Sequence, residues 1–309
     1  HVYEDGKLIE ERELAFSGSV LPYYMGMWRH WNRELRRFCW DKDGVMAIYT
    51  HPMLAFGRSF RRNVHDIFWQ WDYFPDGSFV SRLFNAVARH YAPRCDDYRP
   101  LTQKIAQTMG HPNAQVMMLG MIPPSRFGNP KSSRILMVGQ LRGGQGIENV
   151  LDFVAANKDY SLSLMGAAAH GFEKVISSRI AEMNMADRVC FPDRFVSDAE
   201  LRDEAAKCFV ALALYDTAPN NLTHFADPGK VKSCIEMGLP VVMTRISEIV
   251  PYVERFKAGE VIDSQSGIRV DAFPYHHIKL NHPGTYKLPT GDVVTYHPYD
   301  CSAYDMDGD

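Results

Sequence analysis

The pattern of apolar and polar positions is clearest from residue 134 onward. Short apolar runs there predict strands at Ile135–Val138, Ser161–Met165, Val189–Phe191, Phe209–Leu214 and Pro240–Thr244. Segments of helical period between them predict helices at Ile147–Ala156, Phe172–Met183, Ala199–Lys207 and Lys230–Met237. Repeated βα units of this length imply a parallel sheet covered on both faces, with ligands outside the carboxyl ends of its strands. The fold class is therefore α/β.

The first part of the chain alternates less regularly. "GVMAIYTHPMLAFGRSF" reads as a strand ending at His51 and Pro52, followed by a helix. A second strand, Ile67–Trp71, precedes a turn at Pro75, Asp76 and Gly77. Phe79, Leu83, Phe84, Val87 and Tyr91 then fall near helical spacing. "AQVMMLGMI" predicts a strand running into a joint rich in Pro, Gly and Ser, which sets a domain boundary near residue 128. The expected organisation is an amino-terminal domain over 1–128, a second domain over 129–264 and an irregular tail over 265–309. Within the tail, "TYKLPTGDVVTYHP" reads as a hairpin around Pro289–Asp292.

Length and composition narrow the class. At 309 residues the chain can hold two cores, and 46% hydrophobic with 23% charged residues is ordinary for a globular enzyme or binding protein. With 34 basic and 37 acidic residues the net charge is -3, which gives no global case for nucleic acid. Six scattered cysteines form no Cys-x-x-Cys pair, so they are read as reduced and the location as cytoplasmic. No apolar run reaches the roughly 20 residues of a transmembrane helix. The chain opens on His1 with no signal-like segment, so it is expected to begin inside a longer gene product or after a missing start.

Two stretches carry candidate chemistry. In "ILMVGQLRGGQGIENVL" four glycines, Gly139, Gly143, Gly144 and Gly146, separate a buried strand from a helix. Such a turn lets backbone N–H groups approach an anion, and the helix dipole adds to the attraction. Arg142 within it could fork onto a diphosphate. The spacing fits neither the Walker nor the dinucleotide fingerprint, and a ligand-free turn is the alternative. In "ADPGKVKSCIEMGLPVVMTRISEIVPYVE", Asp227, Pro228 and Gly229 break the chain before Lys230 and Lys232. Two lysines in the first turn of a helix oppose its dipole unless an anion shares the site; two solvated lysines are the alternative.

Together with "CFVALALYD", in this order and spacing, these stretches resemble the carboxy-terminal domain of the family 4 glycosyltransferases, retaining enzymes of the GT-B fold. The resemblance covers roughly residues 40–263 and is strongest over 134–263. It implies two Rossmann-like domains, the first incomplete. It also implies that Gly139, Arg142, Gly143, Gly144, Lys230 and Lys232 bind the diphosphate of a nucleotide sugar, with Glu248 near the sugar hydroxyls. His51, at a strand end before a helix, takes the place of a histidine facing the donor sugar and its phosphate. The implied catalytic set is His51, Arg142 and Lys232. The implied reaction is metal-independent hexosyl or glycosyl transfer to a saccharide or lipid-linked acceptor, in polysaccharide biosynthesis, with the nucleotide sugar as substrate and no further cofactor.

The sequence departs from the family in several places. The two glutamate slots before Gly238 hold Phe225 and Ser233, and the lysine slot of the glycine turn holds Gln145. The family's first strand, glycine loop and helix are not found before Tyr3–Gly6, and its terminal helices are replaced by the hairpin-like tail. Two other readings therefore stand beside transfer: a nucleotide-sugar epimerase, and a non-catalytic glycosyltransferase-like module. Zinc binding by His276, His277, His282, His297 and Cys301 is disfavoured by their spacing. Arg58, Arg61 and Arg62 near Lys42 form a modest basic face, read as solvated.

Overall fold

The computed structural model describes residues 2–4, 7–10, 20–39, 45–55, 64–121, 124, 128–129, 131–265, 268, 285–287 and 293–295. The chain divides into two compact units, His1–Met117 and Met118–Asp309. The Pro/Gly/Ser-rich joint belongs to the second unit. Within it Gly128 N–H donates to Gly238 O (3.1 Å) and Asn129 N–H to Cys208 O (2.7 Å).

The first unit opens with an antiparallel pair, β1 (Val2–Glu4) and β2 (Lys7–Glu10), and helix α1 (Val20–Cys39). A parallel sheet follows, ordered β3-β4-β5: β3 (Val45–Tyr49), β4 (Val64–Gln70) and β5 (Asp97–Pro100). Between the strands lie the short α2 (Pro52–Ala55) and α3 (Phe79–Tyr91), and α4 (Gln103–Met109) comes after β5. Ser78 caps α3 by accepting from Ser81 N–H, and Thr102 caps α4 from Ile105 N–H, which fixes where each helix starts. Alternation sends Ala47, Tyr49, Asp66 and Phe68 inward, where the Tyr49 hydroxyl donates to Asp66 Oδ1 at 2.8 Å. On the other face Met46 and Ile48 remain 60% and 43% exposed.

The "AQVMMLGMI" segment is not a strand: residues 115–121 are irregular. Its backbone groups are satisfied elsewhere, which removes the need for a ladder. Met117 N–H donates to Pro100 O (3.0 Å), Trp69 Nε1–H donates to Met117 O (2.8 Å), and Leu119 N–H donates to Asp227 Oδ2 (2.7 Å).

The second unit holds a six-stranded, wholly parallel sheet ordered β11-β10-β9-β6-β7-β8. Its strands are β6 (Arg134–Val138), β7 (Ser161–Met165), β8 (Val189–Cys190), β9 (Val210–Ala213), β10 (Val241–Thr244) and β11 (Gly259–Ile262). The crossovers are α5 (Ile147–Ala156), α6 (Phe172–Glu182), α7 (Asp198–Ala205), α8 (Gly229–Glu236) and α9 (Val250–Arg255). Counted within the unit, the strand order is that of a doubly wound nucleotide-binding sheet, reversing direction between β6 and β9.

Both faces are buried, as a parallel sheet requires. Ile135, Met137, Leu162, Leu164, Val210 and Leu212 meet α5 and α6 in one apolar cluster; Leu136, Ala211, Ala213, Val241 and Met243 meet α8 and α9 in another. In the tail, β12 (Thr285–Lys287) and β13 (Val293–Thr295) pair antiparallel as the expected hairpin. The basic cluster at Arg58, Arg61 and Arg62 and the tail residues His276, His277, His282, His297 and Cys301 lie outside the described residues.

Candidate functional site

The glycine turn leaves the carboxyl end of β6 at the point where strand order reverses, the crevice in which such sheets bind ligands. Gly139, Gly144 and Gly146 take φ of 103°, 78° and 70°, a region open to glycine and strained for other residues. At Gly139 the need is also spatial. A Cβ there would lie 2.3 Å from Lys230 Cε, because the Lys230 side chain crosses the turn at that point. The turn is pinned from behind: Gly144 O accepts from Asp216 N–H (2.8 Å) and Gln265 Nε2–H (3.1 Å). Thr244 latches the ends of β9 and β10, accepting from Tyr215 N–H at 2.9 Å and donating to Tyr215 O at 2.8 Å.

Lys230 stands in the first turn of α8, and its ammonium donates to Gln140 O at 3.2 Å. With the Gln145 amide oriented to satisfy both its groups, that side chain donates to Gln140 O at 2.7 Å and accepts from Lys230 Nζ at 3.3 Å. Burial lowers the Lys230 pKa to about 8, and the Arg142 charge adds to the effect. Arg142 is exposed on the turn. Two positive groups thus share one edge of the sheet, neither of them ion-paired among the described residues. Neither α5 nor α8 has a capping side chain, so their first-turn N–H groups also face this edge without one.

Lys232 is placed differently. Two residues along a helix is a turn of about 200°, so it cannot share the direction of Lys230. Its ammonium is buried, 2.6 Å from Asp227 Oδ2, and also donates to Leu119 O. Asp227, read from the sequence as part of a chain break, is a buried carboxylate that anchors both Lys232 and Leu119 N–H. The signal for it was present, an acid within reach of a lysine one turn into a helix. Gln140, Thr244 and Gln265 were not singled out, and Gln145 was noted only as a departure from the family's lysine; their parts come from backbone geometry that spacing does not show.

The other expected residues lie as follows. Gly143 has open space around it, and Gly144 lies beside Asp216. Glu248 is half-buried in the segment between β10 and α9, at the same carboxyl edge of the sheet. Ser247, before it, is buried. His51 belongs to the first unit. It follows β3, its carbonyl accepts from Leu54 N–H (2.9 Å), and its ring meets Phe84 and Phe74 edge-on at 5.1 and 6.1 Å. Burial lowers its pKa to about 4, so the ring is neutral at pH 7. The structure therefore brings Gly139, Arg142 and Lys230 together and directs Lys232 elsewhere.

No family model matches the chain, and no curated protein matches it by sequence. Solved structures do. Sucrose-phosphate synthase of Thermosynechococcus elongatus superposes with a TM-score of 0.58 at 12% identity, over 78% of this chain and 65% of that one. A TarM mutant of S. aureus, in complex with fondaparinux, alpha-GlcNAc-glycerol and UDP, gives 0.57 at 11% identity over 76% and 48%. Anabaena HepE in complex with UDP gives 0.54 at 16% identity over 79% and 70%. These neighbours are glycosyltransferases of the GT-B class, and the likeness shows that this chain has their fold of Rossmann-like units. The chain spans about two thirds of the first neighbour and half of the second.

Proposed function

We propose that the protein is a retaining glycosyltransferase whose donor is a nucleoside-diphosphate sugar, with the diphosphate seated on the Gly139–Gly146 turn. The observation that carries this reading is the convergence of Arg142 and the half-buried Lys230 at the switch point of the second sheet, neither of them ion-paired among the described residues. As the glycosidic bond breaks, negative charge grows on the leaving diphosphate. Arg142, Lys230 and the turn amides supply positive potential where it develops. In this reading Lys232 acts indirectly: with Asp227 it holds the start of α8 against Leu119, fixing where Lys230 emerges. Glu248, at the same carboxyl edge, is a partner for sugar hydroxyls. UDP is the first nucleotide to test, since the TarM and HepE structures contain it.

The test is a thermal-shift panel of UDP, GDP, ADP, dTDP and their sugar conjugates on the parent, Arg142→Ala and Lys230→Ala. A ligand at a hundred times its dissociation constant stabilises by about 2.7 kcal/mol, a shift of several degrees. One nucleotide is expected to give that shift, reduced in both variants. No shift from any of them in folded protein would overturn the reading. A second reading, nucleotide binding without turnover, is favoured by Phe225 and Ser233 in the two slots where the resembled family has glutamates. Donor hydrolysis and transfer assays on the protein that binds nucleotide separate the two.

A further inference from the structure

Helix α3 belongs to the first unit, and the donor-site reading uses none of the residues on its outer face. The helix contains no Asp or Glu and carries Arg82, Arg89 and His90. Arg82 and Arg89 are seven residues apart, so they point within about 20° of each other and lie roughly 10 Å apart along the axis. Both are exposed, and neither forms an ion pair among the described residues. Phe79 leads the same face and is 81% exposed, an unusual position for a phenylalanine. A groove of about 680 Å³ runs along this face, lined by Tyr73, Phe79, Arg82, Leu83, Ala86 and Arg89. Its wall is held in place: Asn85, buried, donates to Phe74 O (2.7 Å) and accepts from Phe74 N–H (3.2 Å). Asp76, two residues before the Ser78 cap, accepts from Ser78 N–H at 3.1 Å.

We infer that this face docks on the anionic headgroups of a lipid bilayer. The chemistry is that of an interfacial helix: an aromatic side chain to enter the headgroup layer, and two guanidinium groups on apolar stems to meet phosphates beside it. Apolar area and charge of one sign are combined on one face, which fits an amphiphile with an anionic head. No described helix is long and apolar enough to cross a membrane, so the contact is peripheral. The inference does not depend on the donor-site reading.

Co-sedimentation tests it, using vesicles of phosphatidylcholine alone and vesicles containing phosphatidylglycerol. The parent is expected to partition onto the anionic vesicles and to be released as salt rises. Arg82→Ala with Arg89→Ala should weaken partition about 30-fold, and Phe79→Ala about tenfold. The paired change to lysine should keep most of it. Circular dichroism and the nucleotide thermal shift, both unchanged in these variants, separate loss of docking from loss of fold or of the donor site. Equal binding to both vesicle types, binding insensitive to salt, or full binding by the double alanine variant would overturn the inference. So would binding of inorganic phosphate at these arginines without any affinity for vesicles.

Discussion

Lys230 and Lys232 stand two positions apart on one helix, yet their environments assign them opposite kinds of work. Lys232 is neutralised by Asp227 at 2.6 Å in a buried setting, so removing either partner leaves a charge without compensation. Lys232→Met is expected to destabilise the protein by about 3 kcal/mol in a urea titration, with the Asp227→Asn, Lys232→Met pair recovering much of the loss. Lys230 is a cation partly removed from water with only neutral oxygens near it, so Lys230→Met should leave the urea midpoint unchanged or raised. Its cost should appear in nucleotide affinity, by roughly 10- to 100-fold, the range of a charged hydrogen bond. The same residue sets a pH dependence. Binding an anion requires the ammonium form, which burial and Arg142 hold to a pKa of about 8. An anion bound beside it raises that pKa. Affinity measured by calorimetry should therefore be flat below pH 8 and fall by up to about tenfold per unit above it. A slope that persists in Lys230→Met would assign the titration to another group.

At the scale of elements, β3 is an edge strand. Among the described strands it pairs only with β4, and its outer side chains Met46 and Ile48 are 60% and 43% exposed. A parallel strand with an open apolar face and a free edge is prone to pair with another chain. Met46→Lys with Ile48→Lys should lower self-association in sedimentation velocity while moving the melting midpoint little. A large drop in the midpoint would mean that the face is covered in the native protein. Element by element, legibility in the sequence followed how much each one depends on its own residues. The strands β6, β7, β9 and β10 announce themselves as apolar runs because both their faces are buried. Strand β5 does not: "DYRP" is polar, and it is a strand because β4 offers it a ladder. The apolar stretch 115–121 misleads in the opposite direction, since its hydrogen bonds go to Pro100, Trp69 and Asp227. Helix α1 was not foreseen, its apolar positions being interleaved with Trp, His and Arg and its first turn holding Pro22. At the candidate site Gly139, Gly144 and Gly146 were legible because left-handed backbone demands them, whereas nothing in the backbone requires Gly143. The separate fates of Lys230 and Lys232 depend on Asp227 and Leu119, one of them remote in sequence.

The molecule as a whole is two compact units, each with a buried titrating group whose pKa departs from its ordinary value, and this gives a way to observe them separately. In the first unit, His51 is held neutral among Phe74 and Phe84, its pKa lowered from 6.5 to about 4 by burial. Between those two pH values the unfolded chain binds a proton that the folded chain refuses. Stability of the first unit is thus fully present above pH 6.5 and declines as pH falls toward 4, by on the order of 3 kcal/mol in all. In the second unit Lys230 is protonated in both folded and unfolded states throughout that range, so it contributes no change there. Scanning calorimetry at pH 7 and pH 5 should resolve two transitions. The one belonging to the first unit should move down by on the order of 10 °C more than the other. His51→Phe, which keeps the ring contacts and removes the titrating nitrogen, should abolish that excess. If the variant shifts with pH as the parent does, the acid sensitivity lies outside His51 and its ring is solvated.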